Sequence, residues 1–307
     1  MKRVVVTGVR GFLGRHWARF LVSHGVEVHG FSRQAGGGRV LAPDPFDVAS
    51  LTAALRDAAP DRIFHLAGVA DTHDVALFYR VNAVYAANLF AAAEAAGLSD
   101  RPVVVVGTAA EYGPVAACRL PIVEDEPCRP QGHYGISKLA QTQMAQATAR
   151  AGRRVIVVRP SNMIGPGMPG HMALQQFAQQ IVAAKRAATP TIATGDLRVV
   201  RDFIDVEDVC ARLWALCQGD RVASGEIVNV ASGRGLPLRE ALDRLIAVAG
   251  GGLETRMDPA RLRAHDLCAH VASTAKLERF VGPMPLTPLD ETLQRILRAC
   301  ETPEPPR

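Results

Sequence analysis

The chain has 307 residues, 48% of them hydrophobic, enough at roughly 100–200 residues per domain to bury the core of one large or two intimate domains, which excludes disordered and collagen-like classes. Its formal charge of +5 is spread along the chain and not gathered into lysine or arginine runs, so it predicts solubility and no nucleic-acid partner. Six scattered cysteines, Cys118, Cys128, Cys210, Cys217, Cys268 and Cys300, form no C-x-x-C pair and meet no histidine cluster at zinc-ligand spacing; reduced, mostly buried packing residues and no metal site are expected.

The N-terminus enters a strand at once, Lys2 to Thr7, with no apolar signal-peptide stretch, and no run approaches the ~18 apolar residues of a membrane span. A cytoplasmic protein without a membrane partner is expected. Directly after this strand, VVVTGVRGFLG sets Gly8, Gly11 and Gly14 in a G-x-x-G-x-x-G spacing at the start of a helix near 13–24. Glycines there allow a tight turn, close approach of backbone to a pyrophosphate and close helix–strand contact, while the helix N-terminus offers amide donors and a positive dipole. The turn, with Arg10, Phe12 and Leu13 between its glycines, is read as a dinucleotide cradle.

The second strand, VEVHGF at 26–31, ends in Ser32 and Arg33, where an enzyme preferring NAD usually carries an acid for the ribose hydroxyls. An acid repels a 2′-phosphate and a guanidinium binds it, so NADP is the expected cofactor, with NAD the alternative. Arg10 is a candidate second phosphate ligand, and Asp47 and Val48, closing the third segment, are placed beside the adenine. Further strands read as RIFHLA at 62–67, PVVVVG at 102–107 and RVIVVR at 154–159, with helical patterns at 83–97 and 134–151. Continuous Val/Ile runs alternating with amphipathic stretches are the rhythm of a parallel sheet covered on both faces, so the fold class is α/β with a doubly wound sheet.

Thr108 follows the PVVVVG strand, at the carboxyl edge where open α/β sheets bind ligands. In YGISK, the spacing of four puts Tyr134 and Lys138 on one helix face, so the ammonium is expected to lower the tyrosine pKa and to hold the nicotinamide ribose. The Thr108 hydroxyl can donate to the carbonyl oxygen that Tyr134 protonates. Beyond Arg159 come a Pro/Gly-rich loop at 160–170, a helix to about 187 and shorter elements. The expected division is a Rossmann-type unit of residues 1–159 plus about 196–230, and a smaller α/β substrate-binding unit of about 160–195 plus 231–300. The tail ETPEPPR, 301–307, is expected to be disordered because its prolines cannot continue a helix.

TGVRGFLG, HLAG at 65–68, the Asn82 helix, GTAAEYG, YGISK, RPSNMIGPG and VVRDFIDVEDV stand in one order from residue 3 to about 298. In that order the chain resembles the extended short-chain dehydrogenases. The resemblance implies a catalytic Thr108, Tyr134 and Lys138 and adds Leu66, Ala67, Gly68 and Asn82 to the cofactor site. SNMIGPGMPG, GDLRVVRDFIDVEDV, GEIVNVASG and DPARLR are most similar to the GDP-4-keto-6-deoxy-D-mannose reductases. By that likeness Asn162 contacts the nucleotide diphosphate, Arg201 and Arg263 clamp it, and the partner is a nucleotide-diphosphate sugar. A homodimer through the helices at 83–97 and 134–151 is implied by the same likeness.

The departures are informative. Ala109 and Ala110 stand where sugar-nucleotide dehydratases carry an acid, which disfavours water elimination. Ala110 also stands where GDP-fucose synthases have a cysteine, although His171 occupies their histidine position and could orient a hydroxyl. RAHDLCAH and FVGPMPLT replace the usual Arg-Pro and Gly-Trp-x-Pro stretches. The expected function is NADPH-dependent reduction of a nucleotide-linked 4-keto-6-deoxyhexose. An NAD-dependent nucleotide-sugar 4-epimerase is the alternative, and a non-catalytic NAD(P)-binding regulator is disfavoured because Tyr134 and Lys138 are both present.

Overall fold

The computed structural model describes residues 1–187, 190–219, 221–261 and 269–302. The elements in chain order begin with β1 (Arg3–Thr7), α1 (Phe12–Ser23), β2 (Glu27–Phe31), β3 (Val40–Leu41), α2 (Val48–Ala58) and β4 (Arg62–His65). A continuous helical stretch follows, α3 (Val75–Tyr79) and α4 (Tyr85–Ala95) joined by a π-turn at Arg80–Val84. Then come β5 (Val103–Val106), α5 (His133–Arg150), β6 (Val155–Pro160), β7 (Asn162–Ile164), α6 (Ala173–Ala187), β8 (Thr191–Thr194), β9 (Val200–Asp205), α7 (Val206–Leu216) and β10 (Ile227–Val230). The described chain closes with β11 (Gly235–Pro237), α8 (Leu238–Val248), β12 (Glu254–Met257), β13 (Ala269–His270), α9 (Ala275–Val281) and α10 (Leu289–Glu301).

Seven strands form one parallel sheet in the order β10-β6-β5-β4-β1-β2-β3. The alternation of a strand explains why these Val/Ile runs sit at its centre. Val4, Val6, Val104 and Val106 face one side with Leu13, Trp17 and Leu213, while Val5, Val103 and Val105 face the other with Leu51, Leu55 and Leu89. Both faces are therefore apolar and both are covered by helices, the Rossmann-like arrangement expected. From β1 the chain winds outward to β2 and β3, then returns to β4 on the opposite side of β1 and winds the other way. The carboxyl ends of β1 and β4 consequently flank a topological switch point, where connections diverge and leave a crevice.

A second core gathers α6, α8 and α10 around Ile181, Leu242, Leu245, Leu293 and Ile296, with Ile192 of β8. Its small sheet has β9 at the centre, paired antiparallel to β11 and parallel to β13 and β7. This redraws the expected division. β9, placed with the larger unit by sequence, is the middle strand of the smaller one, while α7 directly after it packs on α1 in the large core. α9, assigned to the smaller unit, also returns to the large core, with Leu277 buried there. Asp205 makes the change of direction: its carboxylate caps α7 by accepting from the Glu207 amide at 2.8 Å and holds Thr292 and Arg295 of α10.

Three smaller expectations change. α10 runs through Glu301 and is capped at Thr302, so the tail leaves the helix later than residue 301; residues 303–307 lie outside the described ones. Of the five described cysteines, all free, only Cys210 and Cys217 are buried, Cys128 and Cys300 are half-buried and Cys118 is exposed; Cys268 lies outside the described residues. The stretch Val75–Ala95, with mean hydropathy 1.2, is long and apolar enough by composition to cross a membrane, contrary to the expectation that no run approaches this. Its inward face, including Tyr85, Leu89, Phe90 and Ala93, is packed against the sheet and α2 as in a core helix.

Trp17 is fully buried against Phe64, with ring centroids 5.0 Å apart. Trp17→Ala is expected to lower unfolding free energy by about 3–5 kcal/mol, measured as a shift of the urea midpoint at unchanged slope.

Candidate active site

A cleft of about 620 Å³ opens at the carboxyl edge of the large sheet and is walled on its far side by the small sheet and α6. Its floor is the glycine turn. Gly8 has φ +66°, and a Cβ there would stand 2.8 Å from the Ala67 backbone, so only glycine lets the turn after β1 touch the turn after β4. A Cβ on Gly14 would meet the Gly8 carbonyl at 2.1 Å, which makes glycine the condition for α1 to begin so close to β1. No side chain caps the first turn of α1 at Gly11, leaving its amides for a ligand. These features fit a dinucleotide pyrophosphate, and Gly8, Gly11, Phe12, Leu13, Gly14, Leu66 and Gly68 all line the cleft.

The residues expected around the adenosine are not among those lining this cleft. Arg10 is exposed and reaches across the turn after β2, donating through Nη2 to Ala35 O at 3.3 Å. A Cβ on Gly36 would fall 2.0 Å from that nitrogen, so glycine at 36 keeps the path of the guanidinium open. Ser32 and the exposed Arg33 belong to this same turn, beside Arg10 and outside the cleft wall. Asp47 does a structural job, its carboxylate accepting from the Ala49 and Ser50 amides at 3.0 and 3.2 Å to cap α2, and Val48 packs beside the core. Ala67 serves through its backbone beneath Gly8 and holds its amide on Thr7 Oγ1 at 3.1 Å.

Asn82 is fully buried in the π-turn and behaves as a clamp. Its amide accepts from Val69 N at 2.8 Å and donates to Val69 O and to Ser137 Oγ, both at 2.9 Å, while Ser137 Oγ donates to Tyr134 O at 2.8 Å. The loop after β4 and the first turn of α5 are thereby joined through one side chain. Asn82 does not line the cleft; it positions residues that do.

Thr108, Tyr134 and Lys138 meet in the cleft. Lys138 is buried and donates to Val106 O at 2.6 Å. Burial pulls its pKa down to about 8, opposed by the carboxylate of Glu111. The neighbouring His65, buried and affected by the Lys138 charge, is held neutral with its pKa lowered to about 3. Tyr134 departs from expectation. Its phenol is raised above the ordinary value, because burial penalises the phenolate more than the hydrogen bond with the Thr108 side chain favours it.

Behind this wall stands a charge pair that sequence reasoning missed. Glu111, fully buried, accepts from Arg159 Nε at 2.9 Å and Nη2 at 2.8 Å and from the Thr108 amide at 2.9 Å. The acid nearest Thr108 is therefore turned inward, and Ala109 and Ala110 face the cleft. His270 was missed as well. It lines the cleft, is buried, and donates from Nε2 to Ala109 O at 3.0 Å; burial and the Arg201 charge lower its pKa. A lone histidine in a segment that departs from the family pattern carried no signal of this.

On the substrate side, Asn162, Arg201 and His171 all line the cleft. Asn162 Nδ2 donates to Asp202 O at 3.2 Å, and Arg201 Nη1 donates to Val200 O at 3.0 Å. Asp202 accepts from Ser232, Gly233 and Ala272. His171 Nδ1 stands 3.7 Å from Asp71 Oδ2 across the mouth. Arg263 lies outside the described residues; Arg261, from the same DPARLR stretch, lines the cleft and donates to Gln176 Oε1 at 3.3 Å. Among the described residues no group of three His, Cys, Asp or Glu is placed to hold a metal ion.

Comparison with known proteins agrees with this geometry. Residues 4–231 match the model of the NAD dependent epimerase/dehydratase family. GDP-6-deoxy-D-mannose reductase of Pseudomonas aeruginosa is 31% identical, with 98% of each chain covered. The structure of RMD from Pseudomonas aeruginosa complexed with NADPH superimposes with TM-score 0.88 at 29% identity, covering 98% of this chain and 99% of that one. UDP-glucose 4-epimerase of Thermus thermophilus in complex with NAD superimposes with TM-score 0.84 at 26% identity, covering 98% and 100%.

Gly14→Val is expected to weaken binding of both NADPH and NADH by about 100-fold or more, since the side chain displaces the turn that cradles the pyrophosphate. Fluorescence titration of the reduced cofactors on folded protein checks this.

Proposed function

The chain belongs to the NAD dependent epimerase/dehydratase family, and from that premise we propose that it is an NADPH-dependent reductase of a nucleotide-linked 4-keto-6-deoxyhexose of the GDP-4-keto-6-deoxymannose type. The observation that carries this reading is the meeting of Thr108, Tyr134 and Lys138 in the cleft, with the pKa of the Tyr134 phenol raised above its ordinary value. A phenol that keeps its proton at neutral pH is loaded as an acid, which is what carbonyl reduction requires of it. The relative at 31% identity is a GDP-6-deoxy-D-mannose reductase, which supports the substrate class. Arg10 and Arg33 at the turn after β2, and the likeness to RMD with NADPH, support the phosphorylated cofactor.

When bound, the reduced nicotinamide supplies the hydride that the carbonyl carbon receives. Tyr134 gives its proton to the keto oxygen. Thr108 donates its hydroxyl to the same oxygen, so two donors face the charge that develops there. Lys138, protonated below about pH 8, holds a positive charge beside the ribose position and donates to its hydroxyls. Arg201 and Asn162 fix the diphosphate end, with Arg261 beside them and Arg263 assigned the same role, and His171 orients a sugar hydroxyl. Elimination of water needs a further acid-base group next to Thr108; Ala109 and Ala110 provide none and Glu111 is held by Arg159.

A 4-epimerase is the second reading, favoured by the likeness to the Thermus thermophilus enzyme with NAD. It uses the same three residues and requires NAD to stay bound through turnover. A homodimer belongs to the main reading: the π-turn and α4 leave Val84, Ala87, Ala91 and Ala95 exposed at helical spacing next to α5.

Purified protein with NADPH and GDP-4-keto-6-deoxymannose is expected to lose absorbance at 340 nm, and inertness toward this and other keto-sugar nucleotides refutes reductase activity. Recovery of tightly held NAD from the purified protein favours the epimerase instead. Tyr134→Phe is expected to lower kcat by about 100- to 10,000-fold with NADPH binding retained. Because Lys138 is charged below about pH 8 and neutral above it, kcat/KM for NADPH is expected to fall as pH rises through 8. Lys138→Arg, which keeps its proton, removes that fall.

A further inference from the structure

The amide of Thr108 poses a problem that the sheet does not solve. Gly107 N makes the last ladder bond of this segment, to Val158 O at 2.8 Å. The next amide lies at the end of β5 in extended backbone, φ −160° and ψ 149°, where no strand offers it a carbonyl. A buried N–H left unpaired is rare because it forfeits its water bond without replacement. Here the acceptor is Glu111 Oε1 at 2.9 Å, three residues along and fully buried.

Supplying that acceptor from a carboxylate is costly, and the surroundings are built to offset the cost. Arg159 of β6 grips the other oxygen with two nitrogens at 2.9 and 2.8 Å. Its guanidinium lies 4.6 Å over the ring of Tyr112, and Tyr112 Oη donates to Asn229 Oδ1 at 2.7 Å. A Cβ on Gly107 would stand 2.4 Å from Glu111 Oε1, so the glycine before the catalytic threonine is what admits the carboxylate beneath the strand end. An apolar pair of the same volume is often at least as stable as a buried ion pair. The arrangement therefore serves the loop it grips, and the residue at the end of that grip is Thr108.

We propose that Glu111, with Arg159 as its buried counter-ion, is a positioning residue for the reaction: by accepting the Thr108 amide it fixes the backbone from which the Thr108 hydroxyl reaches the substrate carbonyl oxygen. Thr108 Oγ1 accepts from the Ala110 amide at 3.3 Å, which completes a reciprocal capping box and leaves the hydroxyl hydrogen to donate. Backbone and side chain of residue 108 are thus both held, the first by Glu111 and the second by the turn Glu111 closes. The activity arm of the test rests on the reductase reading; the amide arm does not.

Two double variants separate the amide bond from the charge. Glu111→Leu/Arg159→Met removes both at nearly constant volume, and Glu111→Gln/Arg159→Met removes the charges but restores an amide acceptor. The Leu/Met protein is expected to keep its melting temperature and its KM for NADPH, to lose kcat by about 100-fold as the hydroxyl loses its aim, and to exchange the Thr108 amide with deuterium faster. The Gln/Met protein is expected to regain kcat to within about threefold of wild type with Thr108 again protected. Equal kcat in the two folded proteins, or a Gln/Met protein as impaired as the Leu/Met one, overturns the proposal. Should the Leu/Met protein fail to fold, protection of Thr108 in wild type and Gln/Met supports it, and fast exchange in either overturns it. An inert wild type with Thr108 protected only where an acceptor stands at 111 rejects the reductase reading and leaves the positioning role in place.

Discussion

The contact on which the rest of the site depends is backbone against backbone: the turn after β1 resting on the turn after β4, Gly8 on Ala67. Two main chains come this close only where one of them lacks a Cβ. The contact brings the carboxyl ends of neighbouring strands to the place where the sheet reverses its winding, and that reversal opens the crevice. Gly14 repeats the device one helical turn on, drawing the start of α1 onto the Gly8 carbonyl. The cradle is thus a consequence of missing side chains, and its walls are supplied by whatever the strand ends carry.

Those strand ends carry ionisable groups into low dielectric, and the cleft works by deciding which of them keep a charge. Burial holds His65 neutral, draws Lys138 toward neutrality and keeps the Tyr134 phenol protonated. The carboxylate of Glu111, close by, is paired with Arg159. The surroundings of Thr108 therefore combine a protonated phenol with a cation of moderate basicity, and Ala109 and Ala110 add no acid, a combination suited to adding a proton to an oxygen and poorly suited to removing water.

The substrate side is assembled by a different principle. Asp202, within β9, and Asp205, at its end, commit their carboxylates to backbone amides and hydroxyls from four later segments. Each aspartate stitches a loop to the strand whose neighbouring residue, Arg201, faces the cleft. His270, in register with Arg201 on β13, donates to Ala109 O beside Thr108. The small sheet thereby touches the segment after β5 next to Thr108.

The sequence by itself determined the large sheet, the glycine turn and the pairing of Tyr134 with Lys138, because each is written in short-range spacing: a period of two, three glycines in seven residues, and a helical step of four. It determined that positions 109 and 110, beside Thr108, carry no acid. Only the tertiary structure decided the sign of the tyrosine shift, because desolvation is a sum over atoms distant in the sequence. It alone showed that Asp47 caps a helix and that Asn82 clamps two segments, and it joined β9 to the small sheet, since these partners are brought together only by the fold. Glu111 with Arg159 and Ala109 with His270 are 48 and 161 residues apart, and no local pattern spans such a distance; the fold closes it by burying apolar strands, and the polar groups they carry must then find one another.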